Sequence, residues 1–320
     1  MKYSSETPLF RTVVDLPDWP FRIFPADGFV FLGSCFAQNV GMRFSDYGMQ
    51  AMVNPLGVLY NPHSIESVAK QTAQPSVEPY IFQHEGQFRC WLAGTQYTAE
   101  AAEGCAEQIR QTLSRLRNRI ENSKYVFITL GTNVAYRHKQ LDCVVCNCHR
   151  VPQQAFMEER VPLHQCTESL IRTVKALLEI NNDIRLIFTV SPYRYAKYGY
   201  HGSQLSKSVL LLAVQAVCES FPDVCYYFPS YEILLDELRD YRFYAEDMLH
   251  PSAQAIDYIW SRFVQCAFSP QAQQYLKDYE PIRKGLLHRP LQANNDEENA
   301  RKTELESRAA SIRQKYGIWL

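Results

Sequence analysis

The sequence predicts a three-layer α/β/α protein with a central, mostly parallel sheet of about five strands. Short apolar runs alternate along the chain with longer segments whose apolar residues recur at helical spacing. The clearest strands are residues 29–33 (FVFLG) and 125–130 (YVFITL). Runs that are apolar on both faces are typical of strands buried between two helical layers, and their alternation with helices indicates parallel strands joined by right-handed crossovers.

The other elements follow from the same patterns. Further strands are predicted at residues 49–53, 185–190 and 224–228, and helices at about 35–47, 98–122, 162–181, 204–220 and after His250-Pro251. Aromatic-rich runs on either side of residues 85–87 (EGQ) predict a β-hairpin inserted into the main fold.

Three regions are expected along the chain. Residues 1–28 contain four prolines and predict an extended arm laid across the body. Residues 29–269 form the α/β domain, with an insertion at about 54–124. Residues 270–320 are polar and predict a helical extension with helices at 271–279 and 297–316.

Composition excludes several classes of partner. The chain has 320 residues, 46% of them apolar, and a formal net charge of −1. This charge gives no reason to expect nucleic acid or an anionic membrane surface as a partner. No signal peptide and no run of membrane-spanning length is present, so we expect a cytoplasmic protein whose ten cysteines are reduced. No cofactor is expected, and the oligomeric state stays open.

Three short segments place reactive side chains where predicted strands end or where the last loop of the sheet lies. They are Gly33-Ser34, residues 131–133 (GTN) and residues 247–250 (DMLH). Since the carboxyl ends of parallel strands share one edge of a sheet, these segments are expected to converge there. Ser34 is the candidate nucleophile, His250 the base that takes its proton, and Asp247 the carboxylate that orients His250.

The tetrahedral intermediate of such a reaction needs hydrogen-bond donors. The backbone N–H groups of Ser34 and Gly57 and the side-chain amide of Asn133 are the candidates, with Gly41 and Gly48 as alternatives to Gly57. Two other readings of these residues stay open. A serine at this boundary is commonly a helix cap, and the thiol of Cys35 could attack in place of Ser34 because thiols at helix N-termini are activated.

Four further residues are candidates for substrate binding. They are Asn54 in a loop with two Asn-Pro dipeptides, His149, and Arg194 and His201 in an aromatic, basic loop that resembles a lid. A packed surface turn is the alternative for that loop. Cys143, Cys146 and Cys148 with His149 could instead hold zinc, although their spacing is tighter than that of the usual paired Cys-x-x-Cys elements, and we expect no metal.

Several ordered segments resemble the GSCFA family, a branch of the SGNH (GDSL-like) hydrolase superfamily. They are residues 33–37 (GSCFA), 54–62 (NPLGVLYNP), 147–152 (NCHRVP), 191–192 (SP), 205–207 (LSK) and 249–252 (LHPS). The resemblance covers about residues 30–265. It implies an SGNH/flavodoxin-like fold with Ser34 as nucleophile, Gly57 and Asn133 as oxyanion donors, and Asp247 with His250 as acid and base. Ordinary members of the superfamily have Gly-Asp-Ser at the nucleophile, whereas here Gly33 is followed by Ser34 and Cys35.

The expected function is therefore that of a serine esterase or acyl hydrolase. Its substrate would be an O-acylated small molecule or glycan ester, cleaved through a covalent acyl-enzyme. An O-acyltransferase with the same triad and a non-catalytic carbohydrate- or ligand-binding protein on the same fold are the alternatives.

Overall fold

The structure is a computed structural model that describes residues 11–288 and 295–318. Its strands are β1 (Phe29–Gly33), β2 (Ala51–Val53), β3 (Ile81–His84), β4 (Gln87–Cys90), β5 (Tyr125–Leu130), β6 (Val134–His138), β7 (Cys143–Val145), β8 (Phe156–Arg160), β9 (Arg185–Val190) and β10 (Cys225–Tyr227). Its helices are α1 (Cys35–Asp46), α2 (Pro62–Ala73), α3 (Ala102–Glu121), α4 (Leu163–Ile180), α5 (Gly199–Ser220), α6 (Ser230–Glu232, continued by a π-helix at Ile233–Leu238), α7 (Ala253–Ala267), α8 (Pro270–Leu287) and α9 (Asn295–Lys315).

A five-stranded parallel sheet forms the centre of the fold, which confirms the predicted fold class. The strands lie in the order β2-β1-β5-β9-β10, and every neighbouring pair is parallel. The chain moves outward from β1 to β2 on one side and then to β5, β9 and β10 on the other. Strand order therefore reverses at β1, and the crevice outside the carboxyl ends of β1 and β5 is the expected ligand site of such a sheet.

Helices cover both faces because the strands are apolar on both. In β1, Val30 and Leu32 pack on the face covered by α2 to α5, whereas Phe29 and Phe31 pack on the face covered by α1, α7, α8 and the π-helix after α6. All four side chains are at most 1% exposed. Burial of each such side chain stabilises the fold by about 1.5–3 kcal/mol, so this sheet is a rigid support for groups at its edge.

Two smaller sheets flank the central one. The predicted hairpin is present as β3 and β4, paired antiparallel with the turn at Glu85-Gly86. A three-stranded antiparallel sheet in the order β7-β6-β8 was not predicted. Its strands are short and partly exposed, so they lack the continuous apolar runs that reveal buried strands.

The arm and the extension pack on the α1–α7 side of the molecule. Ile23 N donates a hydrogen bond to Ala267 O at 2.8 Å, and Ile23 O accepts one from Ser269 N at 3.0 Å, so these bonds tie the described part of the arm to the segment between α7 and α8. Residues 1–10 lie outside the described residues. Helix α8 extends to Leu287, beyond the predicted 271–279, and Leu305 of α9 packs against its Gly285. No helix in the described residues has the length and apolar character needed to cross a bilayer.

Candidate active site

A cavity of about 480 Å³ opens at the carboxyl edge of the parallel sheet. Three neighbouring strands lead into it, with Cys35 following β1, Thr132 following β5 and Tyr193 following β9. Aromatic and neutral polar residues supply much of the remaining wall, among them Tyr60, Asn61, Tyr136, Asn147, Tyr195 and Tyr198. The cavity therefore lies at the crevice that the reversal of strand order predicts.

Asp247 and His250 form an acid–base pair beside this cavity. His250 Nδ1 lies 2.5 Å from Asp247 Oδ2, and Asp247 Oδ1 accepts hydrogen bonds from the backbone N–H groups of Leu249 and His250. The bond with the His250 ring is the main reason that the pKa of Asp247 is lowered to about 2, so the carboxylate is ionised at neutral pH. An ionised carboxylate accepts the hydrogen bond of Nδ1–H, which leaves Nε2 of the neutral ring to accept a proton.

Arg194 holds the turn that carries this pair. Its backbone N–H donates to Leu249 O at 3.0 Å, and its guanidinium donates to Met248 O at 3.2 Å. The guanidinium also lies over the rings of Tyr200 and Tyr244, 4.3 and 5.1 Å from their centroids. The structure thus places Arg194 as a support of the turn, which does not match its predicted role in binding substrate.

The β1–α1 junction presents Cys35, and not Ser34, to the cavity. Ser34 is the N-cap of α1: its Oγ accepts a hydrogen bond from Phe36 N at 3.3 Å, and the residue is 1% exposed. Cys35 is the first residue of the helix and lines the cavity together with His250. This geometry does not match the predicted role of Ser34 as nucleophile, because the hydroxyl that caps the helix is turned into the protein.

The thiol of Cys35 is partly buried, and charges of both signs, those of Lys207 and Asp247, act on it. Burial raises its pKa above the ordinary value and is the largest influence on it. The N–H groups of Phe36 and Cys35 and the positive charge of Lys207 act in the opposite direction, since they favour the thiolate. The thiol is therefore protonated at neutral pH and needs a base to react, a role for which His250 Nε2 is suited.

The turn after β5 is held from two sides. Gly131 N and Thr132 N donate to Tyr60 O at 2.8 and 2.9 Å, and Asn133 N donates to Ser206 Oγ at 2.9 Å. These bonds tie the turn to the loop before α2 on one side and to α5 on the other. They fix the cavity wall formed by Thr132.

A model of the GSCFA family matches residues 28–263. The chain belongs to the GSCFA family. The matched region includes the whole parallel sheet and the cavity and ends within α7, so α8 and α9 lie beyond it. No curated protein matches the chain.

Segments that carry the GSCFA resemblance meet at the cavity. Residues 33–37 form the β1–α1 junction, residues 54–62 contribute Tyr60 and Asn61, and residues 147–152 contribute Asn147. Residues 249–252 contribute His250. Segments that are far apart in the sequence thus build one site.

The three predicted oxyanion donors are all engaged within the protein. Ser34 N donates to a carbonyl of β5 at 3.1 Å, Gly57 N donates to a carbonyl three residues earlier at 2.8 Å, and Asn133 Nδ2 donates to Val161 O at 2.8 Å. None of the three is among the described residues that line the cavity. The structure therefore does not support the predicted oxyanion site.

Cys35 and Asn61 offer donors in their place. Cys35 N is the first N–H of α1 and has no acceptor one turn earlier in the helix. Asn61 caps α2 by accepting a hydrogen bond from Ser64 N at its Oδ1, at 2.9 Å, which leaves the Nδ2 donors for a ligand. Sequence reasoning missed Asn61, although an asparagine followed by proline at a helix start is a capping signal.

The other predicted substrate-binding residues also lie elsewhere. Asn54 Oδ1 accepts a hydrogen bond from Gly33 N at 2.9 Å, so Asn54 shapes the loop after β2. His149 is 1% exposed with its Nε2 bonded to Cys90 O at 2.9 Å, and burial lowers its pKa. His201 is exposed in the first turn of α5 and is not among the described residues that line the cavity.

The cysteine cluster does not resemble a metal centre. Among the described residues, no group of three or more His, Cys, Asp or Glu side chains is arranged to hold a metal ion. All ten cysteines are free thiols. Cys146 and Cys148 line the cavity, but burial raises the pKa of Cys146 to about 12, so it is a poor nucleophile.

Proposed function

We propose that this protein is an acyl-transfer enzyme in which Cys35 is the nucleophile, His250 the general base and Asp247 the residue that orients His250. One observation carries this proposal: Cys35 and His250 line the same cavity, whereas the hydroxyl of Ser34 is turned into the protein. A thiol, an imidazole and a carboxylate in this relation form a nucleophile, a base and an orienting group. Hydrolysis of an ester is the reaction that this site supports best.

In the first step, Cys35 Sγ attacks the acyl carbon while His250 Nε2 takes the thiol proton. Negative charge develops on the former carbonyl oxygen, which Cys35 N–H and the Asn61 amide stabilise. Collapse breaks the bond to the alcohol oxygen, which receives the proton from His250, and leaves the acyl group on sulfur as a thioester. Water then adds to the thioester carbonyl and gives its proton to His250, and the second collapse releases the acid and restores the thiol.

The cavity favours an uncharged substrate with rings or hydroxyl groups. Lys197 on its wall is already paired, since Nζ donates to Glu158 Oε2 at 2.8 Å and to the Tyr136 hydroxyl. Tyrosine rings and neutral amides form much of the rest. These groups suit a sugar-like ester better than an acidic one, because the one lysine among the described residues that line the cavity is already paired.

The proposal includes membership of the SGNH superfamily. In the Gly-Asp-Ser pattern of that superfamily the nucleophile is the third residue. The corresponding residues here are Gly33-Ser34-Cys35, so Cys35 occupies the third position. The parallel sheet and the Asp-x-x-His turn before α7 are consistent with it. An O-acyltransferase would follow the same steps, with a substrate hydroxyl in place of water.

The test is to trap and locate the acyl group. The protein is mixed with p-nitrophenyl acetate, quenched in acid and mapped by peptide mass spectrometry. We expect an acetyl group on Cys35 that neutral hydroxylamine removes, as it removes thioesters. Acetylation of Ser34 would contradict Cys35 as the nucleophile, and no acyl-enzyme together with no release of p-nitrophenol above the Cys35→Ala background would contradict the enzyme proposal.

The role of Arg194 gives a second prediction. Arg194→Ala is expected to lower kcat for p-nitrophenyl acetate by about 10–100-fold, because the turn that places His250 loses its anchor. His201→Ala, at an exposed position in the first turn of α5, is the matched control and should leave kcat unchanged. Equal kcat values for the two variants would show that the turn holds its shape without Arg194.

A further inference from the structure

Lys207 is a buried cation that the proposed reaction does not use. It lies on α5, is 2% exposed, and its Nζ donates to Gly131 O at 2.6 Å and to Ser191 O at 2.7 Å. Its Nζ also lies 5.5 and 5.7 Å from the ring centroids of Tyr195 and Tyr231. No acidic side chain of the described residues forms an ion pair with it.

The position of this ammonium relates it to the cavity. Gly131 follows β5 and Ser191 follows β9, so Nζ bridges the carboxyl ends of two neighbouring strands. The next strand along is β1, whose end carries Cys35, and the charge of Lys207 acts on the Cys35 thiol. The ring of Tyr195, which Lys207 faces, lines the cavity itself.

A purely structural role does not account for a lysine here. Two carbonyl acceptors can be tied by a neutral donor, whereas burial of a charge without an ionic partner is costly. Burial accordingly lowers the pKa of Lys207 to about 7, and negative charge on Cys35 opposes this effect. A buried cation is useful where negative charge forms during a reaction.

We propose that Lys207 is a positioning residue for the nucleophile: its ammonium, anchored on the carbonyls of Gly131 and Ser191, stabilises negative charge on Cys35 Sγ. The inference deepens the proposed function, since it assigns the origin of thiol activation in the same site. It also gives a role to residues 205–207 (LSK), because Ser206 and Lys207 both hold the turn after β5.

The charge of Lys207 should matter only where it is protonated. Below about pH 7 the ammonium favours the Cys35 thiolate, and above that pH the proton and its effect are lost. Other titratable groups lie close to Cys35 and Lys207. Asp247, His250, Tyr60 and Tyr193 are near Cys35, whereas Tyr231 is near Lys207 and Tyr195 is near both. Because they are present in both proteins compared below, their effects largely cancel in a ratio of rates.

The experiment measures alkylation of Cys35 by iodoacetamide from pH 5.5 to 9, resolved by peptide mass spectrometry, in the wild type and in Lys207→Gln. Glutamine keeps two N–H donors for the carbonyls but removes the charge. We expect the wild type to react about tenfold faster below pH 7, with the ratio falling toward one above pH 8. Lys175→Gln removes an exposed lysine on α4 and should match the wild type at every pH. A ratio that stays constant with pH would overturn the proposal.

A second measurement covers the case in which Lys207→Gln does not fold. The pH midpoint of the Lys207 Cε signal is followed by NMR of ¹³C-lysine protein in Cys35→Asp and Cys35→Asn, two variants of similar shape that differ in charge. The midpoint should be higher in Cys35→Asp, and equal midpoints would contradict the proposal. Neither measurement depends on ester turnover, so their failure is distinct from a failure to detect an acyl-enzyme.

Discussion

Cys35→Ala is expected to lower kcat/KM for p-nitrophenyl acetate by at least about 10³-fold, because the variant has no group that can form the acyl-enzyme. The fold should be unaffected, since Cys35 is at the first position of α1, where its side chain faces the cavity. Steady-state release of p-nitrophenol measures the rate, and circular dichroism confirms the fold.

Ser34→Ala is the matched control, one residue away. The capping bond from Phe36 N to Ser34 Oγ would be lost, which costs about 1 kcal/mol of stability. The rate should change far less than in Cys35→Ala, because the cap is not part of the cavity wall. A larger loss of rate in Ser34→Ala than in Cys35→Ala would indicate that Ser34 is the nucleophile. Ser34 Oγ would then have to give up its capping bond with Phe36 N during the reaction.

The fold was predictable because burial on both faces leaves a strong pattern. The strands β1, β5 and β9 are almost wholly apolar, so each stands out in the sequence as a buried run. The sheet β7-β6-β8 was missed for the opposite reason. Its strands are only three to five residues long and partly exposed, and charged residues interrupt the apolar pattern in β6 and β8.

The site was only partly predictable, because the hydrogen-bond partners of a group depend on the tertiary structure and do not follow from the sequence pattern alone. The pair Asp247 and His250 could be found, since a carboxylate three residues before a histidine reaches both its backbone N–H and its ring. The choice between Ser34 and Cys35 depends on which residue begins the helix, and helix boundaries are uncertain by one or two residues from sequence. The N–H of Gly57 was a reasonable donor until the structure showed it bonded within its own turn.

Gly33 is the residue on which the geometry of this junction depends. Its φ of +138° lies in a region that only glycine adopts readily, and it turns the chain from β1 into the N-terminus of α1. Its N–H donates to Asn54 Oδ1 at 2.9 Å, and its carbonyl accepts from Leu59 N at 2.8 Å. These two hydrogen bonds hold the loop after β2, which continues to Asn61, against the end of β1.

Gly33→Ala is accordingly expected to destabilise the protein by about 3–5 kcal/mol, among the largest effects of a single substitution. A Cβ at this position would lie 2.2 Å from Thr129 O, a backbone atom of the paired strand β5 that cannot move without opening the sheet. The unfavourable φ adds to this cost. Since whole domains are stable by only about 5–15 kcal/mol, the variant should show a much lower urea midpoint or fail to accumulate in folded form.

Two other glycines separate the contributions of backbone strain and steric overlap. Gly86→Ala introduces a residue at φ +77° with no atom within 4 Å of the new Cβ, so we expect a loss of only about 1–2 kcal/mol. Gly104→Ala lies in α3, where the nearest atom is the Ala99 Cβ at 3.5 Å, and should raise stability by up to about 1 kcal/mol. If the Gly33→Ala protein proved no less stable than the Gly86→Ala protein, overlap with Thr129 O would contribute nothing to the loss of stability. The close approach of β1 to β5 at the cavity edge would then be adjustable, and the rigid placement of Cys35 inferred from it would be wrong.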